Sequence, residues 1–276
     1  MAIKRIMVAL GGSEYMNLAM REAAVIAKRH TGKVYGLVVL DEDLVDPNQP
    51  IPVGGGAAAK ELREFRTSTI EQEVTDAIDR FTTYFSSEGI EHEVIRETGS
   101  AIPILERTLK LMDMGIFGIR HAFDYGTIAH SEDFLGSVAR ATRRPIMAIP
   151  SVLRPIERVL VAYDGSPASA DALRSFSVLH AFDPSDVRVV TCRDSDIDGD
   201  ATMQEAVDYL TAHGYSAHGI VVEGSPAVAI PDQAAEFSAD MIVMGAVGRS
   251  GIMKMLIGDT AGALLASSET PLYLRY

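Results

Sequence analysis

The stretch Ile3-Lys4-Arg5-Ile6-Met7-Val8-Ala9-Leu10-Gly11-Gly12-Ser13 returns 153 residues later as Ile156-Glu157-Arg158-Val159-Leu160-Val161-Ala162-Tyr163-Asp164-Gly165-Ser166. No other feature restricts the fold as much. Two more echoes follow in the same order, Glu97-Thr98-Gly99-Ser100-Ala101 with Val222-Glu223-Gly224-Ser225-Pro226 and Arg144-Pro145-Ile146-Met147 with Thr270-Pro271-Leu272-Tyr273. Their offsets are shorter, so the first copy carries extra residues in its middle. A period this long marks duplicated domains rather than a solenoid. The 276 residues therefore divide into domains 1–150 and 156–276, each of ordinary size for a domain with its own core.

Within each copy, short aliphatic and β-branched runs alternate with helical patterns. They predict strands near residues 4–10, 34–40, 92–96, 114–118 and 145–149, then near 157–163, 187–192, 217–222, 240–244 and 272–275. Ile70, Val74, Ile78, Phe81 and Phe85 form one apolar stripe at helical spacing beside polar Glu71, Glu73, Asp76 and Arg80. Strands that are apolar throughout and separated by helices indicate a parallel sheet covered on both faces, the doubly wound α/β architecture. The connection over residues 150–155 has two prolines and is too short to let the halves roam. Residues 46–56 are rich in proline and glycine and read as a loop with a flexible Gly54-Gly55-Gly56 tip, followed by a helix opening at Ala57-Ala58-Ala59-Lys60.

Charge excludes some partners. A net charge of −13 argues against binding along a nucleic-acid backbone, which needs clustered Lys and Arg. No apolar run approaches the ~20 residues that span a bilayer, and Met1-Ala2-Ile3-Lys4-Arg5 runs into a strand rather than a signal-peptide core. Cys192 is the one cysteine, so no intrachain disulfide forms, which fits a reducing cytoplasm.

The chemistry concentrates in the second copy. Met244-Gly245-Ala246-Val247-Gly248, nine residues, then Gly258-Asp259-Thr260 follow the apolar run Met241–Met244 on a strand-to-helix turn. Glycines there let the backbone approach an anion, and the N–H groups opening the next helix supply donors. Asp164-Gly165-Ser166 closes the first strand of the same copy. Both turns lie at carboxyl ends of strands, where ligands bind in such sheets. Blander readings are that Gly245 and Gly248 allow a tight turn and that Asp164 and Ser166 cap a helix.

Together these features resemble the universal stress protein family in its tandem form, over nearly the whole chain. The family's nucleotide-binding pattern is Gly, two residues, Gly, nine residues, Gly, then Ser or Thr, and Gly245, Gly248 and Gly258 keep that spacing. The resemblance implies two tandem Rossmann-like, HUP-type doubly wound domains forming an intramolecular pseudo-dimer, with residues 144–149 beside residues 272–276. It implies a stress-response regulatory protein that binds an adenine nucleotide, ATP or AMP, with or without magnesium. Asp164 and the Cys192 backbone would hold the adenosine end, and Gly245, Gly248 and Gly258 the ribose and phosphates. The nucleotide would order the segment between Gly248 and Gly258 and so change a surface read by a protein partner. Slow nucleotide hydrolysis, attributed to some members, stays open, as does a further dimer.

Asp259 departs from the pattern, standing where a hydroxyl belongs. Two like charges about 4 Å apart repel by ~4 kcal/mol at the effective dielectric of a protein surface. A divalent cation bridging Asp259 to the phosphates, a hydroxyl from Thr260, or a ligand limited to a nucleoside or monophosphate would each resolve this, with Arg249 and Lys254 offsetting charge. The first copy departs further. Gly11 replaces the Asp, Gly118-Ile119-Arg120-His121 replaces the two-glycine turn, and fourteen residues separate His121 from Gly136, although Gly136-Ser137-Val138 keeps the phosphate-end signature. Residues 122–135 should reshape or block that pocket, leaving either a degenerate site or one for another metabolite. A chain without nucleotide, acting as an interaction module, is the alternative.

Other candidates are weak. His121, His130, Glu132 and Asp133 lack the convergence a zinc site needs and read as surface residues. Cys192 ends an apolar strand and reads as a small core residue rather than a nucleophile. There is no Gly-x-x-x-x-Gly-Lys-Ser/Thr loop and no Gly-x-Ser-x-Gly elbow, so efficient catalysis is not expected.

Overall fold

A computed structural model describes residues 2–11, 14–40, 56–120, 123, 134–193, 198–246 and 259–276. The first copy runs β1 (Arg5–Ala9), α1 (Glu14–His30), β2 (Lys33–Leu40), α2 (Gly56–Ser87), β3 (His92–Thr98), α3 (Ala101–Leu109), β4 (Met114–Gly118), α4 (Phe134–Thr142) and β5 (Ile146–Ile149). The second runs β6 (Arg158–Ala162), α5 (Pro167–Leu179), β7 (Asp186–Cys192), α6 (Gly199–Ala212), β8 (Ala217–Val222), α7 (Pro226–Phe237), β9 (Met241–Gly245), α8 (Asp259–Ser267) and β10 (Leu272–Arg275). All ten predicted strands are present, alternating with helices.

Each copy is doubly wound. The single sheet has the order β3-β2-β1-β4-β5-β10-β9-β6-β7-β8. Every pairing within a copy is parallel. Central strands such as β4 are buried along their whole length, which is why they read as unbroken apolar runs. Ile70, Val74, Phe81 and Phe85 of the predicted helical stripe are buried, with Ile78 packed beside them. At 32 residues α2 is much longer than α6 with 14, which accounts for part of the extra length in the first copy. Its described residues from Lys60 to Thr69 all lie exposed.

The copies meet as predicted. β5 pairs antiparallel with β10 in the register Leu272 to Ala148, Tyr273 to Met147 and Leu274 to Ile146. Tyr273 is fully buried at the middle of this seam, and its hydroxyl shares a 2.6 Å hydrogen bond with Ser175 of α5. Further polar contacts tie the halves. The Arg120 guanidinium donates to the Ala266 carbonyl at 2.7 Å in the last turn of α8, where a cation complements the helix dipole. His30 Nε2 donates to the His180 carbonyl at 2.9 Å, and Arg29 lies 3.7 Å from Asp183.

The start of each copy carries the same clamp. Asp113 Oδ2 accepts from the backbone N–H groups of Lys4 and Arg5 at 2.7 and 2.9 Å, and Asp240 Oδ2 from those of Glu157 and Arg158 at 3.1 and 2.9 Å. A carboxylate thus satisfies two donors where the first strand of each copy begins.

Candidate functional site

In the second copy the chain leaves β6 for β7 on one side and returns to β9 on the other, so strand order reverses between β6 and β9. That reversal opens the crevice in which doubly wound sheets bind ligands. Asp164 follows β6, Cys192 ends β7 and Gly245 ends β9. Three predicted site residues therefore stand at the carboxyl ends of three adjacent parallel strands, across about 10 Å of sheet.

Local chemistry explains the Asp164 turn. Its Oδ1 accepts from the Ser166 N–H at 3.0 Å, an Asx turn that Gly165 closes with φ of +72°. Ser166 then caps α5, its hydroxyl accepting from the Ser169 N–H at 3.2 Å, and Pro167 occupies the first helical turn. The capping reading thus holds for Ser166, while Asp164 shapes the approach to the cap. Asp164 also lies close enough to Cys192 for its charge to matter. Burial first, and then that charge, push the Cys192 thiol above its ordinary range, which makes it a poor nucleophile.

Tyr163 is buried beside Asp164. Burial, followed by the charges of Glu205 and Asp164 and a hydrogen bond to Glu205, raises its hydroxyl above the usual value. The Thr191 hydroxyl donates to the Tyr163 carbonyl at 2.8 Å and fixes the end of β6 against β7. Across the mouth, Arg193 pairs with Glu223 at 2.8 Å and Asp200 at 3.6 Å. Asp164 is thus the carboxylate whose charge reaches both Tyr163 and Cys192 at the ends of β6 and β7.

Gly245 has a packing reason of its own. A Cβ there would come within 2.8 Å of the Ala168 carbonyl carbon and the Ser169 nitrogen, so β9 can lie against the first turn of α5 only with glycine at its end. Asp259 opens α8 and Thr260 follows, half-buried; the Asp259 side chain, Gly248, Arg249, Lys254 and Gly258 lie outside the described residues.

The first copy differs at each equivalent point. Gly11 is buried, and the Leu10 N–H donates to the Leu37 carbonyl at 2.8 Å as Tyr163 does to Val190 at 3.0 Å, but Gly11 stands where the second copy has Asp164. Beyond β4, Arg120 turns to the other half, and fully buried Phe123 meets Phe134 edge-on at 6.3 Å. Gly136 and Ser137 fall inside α4, not before it, and the Ser137 hydroxyl accepts from Arg140 at 2.9 Å. Gly136 stands nine residues before Pro145, whereas Gly258 stands thirteen before Pro271. The Gly-Ser pair therefore sits about one helical turn too late for the entrance of the helix. His121 and His130 lie outside the described residues. Among the described residues no group of three or more His, Cys, Asp or Glu is placed to hold a metal, and no helix is long and apolar enough to cross a membrane.

The class that this fold and crevice define is a tandem pair of doubly wound, Rossmann-like domains joined edge to edge. Residues 155–274 match the Universal stress protein family. A universal stress protein of Synechocystis is 24% identical over 283 residues, covering 98% of both chains. Among solved structures, a universal stress protein from Archaeoglobus fulgidus superposes with a TM-score of 0.66 at 19% identity, covering 98% of this chain and 95% of that one. A functionally unknown protein from Pseudomonas aeruginosa gives 0.62 at 19% identity, covering 99% and 92%. The second half thus carries the family's domain by direct match, and the first half repeats its strand order.

Proposed function

We propose that this chain is a stress-response regulatory protein that binds an adenine nucleotide in its second half, with a first half whose site has degenerated. The observation that carries this is the placement of Asp164, Cys192 and Gly245 at three adjacent strand ends flanking the reversal of strand order. The residues there fit a nucleoside. Asp164 supplies an acceptor for an exocyclic amine, and the Cys192 backbone ends a strand beside it. An aspartate at position 259, where the family pattern has a hydroxyl, disfavours a polyphosphate held without a counter-ion, so magnesium would enter by screening Asp259 from the phosphates. Catalysis is not part of this reading.

The reading also leaves the first half without nucleotide, since Gly11 brings no carboxylate and the Phe123–Phe134 contact fills space beyond β4. Calorimetric titration with adenosine, AMP and ATP, each with and without magnesium, tests it. We expect one site per chain, with ATP binding dependent on magnesium and Asp164→Ala weakening binding at least about tenfold, the loss of one polar contact. Silence from all six mixtures, or two equivalent sites per chain, would overturn it. Mass spectrometry of the denatured protein checks separately for co-purified nucleotide.

A further inference from the structure

The ten-stranded sheet ends in two edges of different character. At one end β3 carries His92, Glu93, Arg96, Glu97 and Thr98 among its seven residues, and its charges are already matched: Glu93 to Lys33 at 3.1 Å, Arg96 to Glu71 at 3.5 Å and Glu97 to Arg107 at 2.9 Å. Charged edges of this kind discourage strand addition. At the other end β8 reads Ala217-His218-Gly219-Ile220-Val221-Val222, with His218 its one ionisable residue. Among the described residues no strand pairs with its outer side.

β8 is held firmly from within. His218 Nδ1 donates to Asp186 at 3.1 Å, and its Nε2 accepts from Arg188 Nε at 3.3 Å. Arg188 lies over the Phe237 ring at 4.4 Å and 3.6 Å from Glu236 of α7. The His218 end of the strand is thus fixed to β7 and α7, while Ile220, Val221 and Val222 remain half-exposed at the rim.

We propose that β8 is a self-association edge, at which a second copy of this chain adds its own β8 antiparallel and continues the sheet. The strand's composition favours its own copy. A twofold axis normal to the sheet keeps each face aligned. Centred on Ile220 it sets Ile220 against Ile220, Val222 against His218 and Gly219 against Val221. Apolar Ile220 then meets its own copy at the centre, Gly219 leaves room for Val221, and no like charges face each other. The molecule already uses this mode internally, because β5 and β10 join the halves as antiparallel apolar edges. Six residues span about 20 Å, a small contact, so the dimer forms at micromolar or higher concentration. The net charge of −13 on each copy opposes it, and added salt strengthens it.

Sedimentation velocity of the full chain from roughly 5 to 200 µM, at low and moderate salt, tests the proposal. The expected result is a monomer–dimer equilibrium that tightens with salt, is weakened at least about tenfold by Ile220→Lys and is unchanged by Val94→Lys on β3. Hydrogen exchange on the unmodified protein adds a measurement independent of variant folding, with β8 amides gaining protection at the higher concentration. A monomer throughout, a dimer indifferent to a folded Ile220→Lys variant or lost in Val94→Lys, or β8 protection independent of concentration would each overturn it.

Discussion

Glu22 on α1 shows how one side chain can set the pH response of the whole fold. It is buried to 7% exposure, and burial raises its carboxyl from 4.5 to about 7. The folded state therefore holds the proton more tightly than the unfolded chain does. This contribution is fully present below about pH 4.5 and is lost as pH rises through 7. A shift of this size corresponds to roughly 3 kcal/mol. Urea denaturation at pH 5 and pH 8.5 is expected to show the protein losing on that order of stability at the higher pH, with Glu22→Gln removing most of the difference. An equal loss in the variant would assign the effect elsewhere. Gly245 shows the opposite relation of residue to role: its place in a phosphate-like pattern was legible, but its contact with Ala168 and Ser169 is a packing requirement that holds with or without ligand. A linear pattern records that glycine is needed, not which neighbour needs it.

At the scale of elements, buried parallel strands announce themselves because both faces are apolar, and the stripe from Ile70 to Phe85 marks the packed part of α2 because one face alone is covered. The start of α4 was harder to see. Gly136-Ser137 looks like a helix entrance as text, yet Phe134, anchored against buried Phe123, begins the helix earlier and carries the pair inside. The strand clamps are not legible in the sequence although the repeat contains their signal, Asp113-Met114 in one copy and Asp240-Met241 in the other. An acidic residue before a strand resembles any turn residue until its long-range partners are known. Asp240, with a side chain 9% exposed, satisfies two backbone donors across 82 and 83 residues of sequence. Asp240→Ala leaves those donors unpaired and is expected to cost roughly 2 kcal/mol, read as a lower denaturation midpoint with an unchanged slope. Asp240→Asn retains one acceptor oxygen and should recover part of the loss.

For the whole molecule, the question is whether two domains behave as two. Ile146, Met147, Ala148 and Ile149 on one side of the seam and Leu272, Tyr273 and Leu274 on the other are all fully buried, so the junction is as apolar as either core. Unfolding either half would expose this strand pair and strand an unpaired apolar edge on the half that remains. Ordinary inter-domain contacts are more polar and permit relative motion, and this one differs because the sheet itself crosses it. The duplication and the pairing of the last strands were legible from the repeat and the family resemblance. The contacts that reinforce the seam, Arg120 to Ala266 and His30 to His180, were not, because the equivalent positions of the second copy, Val247 and Asp183, carry other residue types and so give no repeated signal. Heating is therefore expected to give a single calorimetric transition whose van't Hoff and calorimetric enthalpies agree. Met147→Asp, which places a charge opposite Tyr273, should lower that one transition by several kcal/mol in equivalent stability and bring both halves down together. Two resolved transitions in the unmodified protein, or a variant in which the second half melts unchanged, would show instead that the seam holds the copies side by side without coupling their folding.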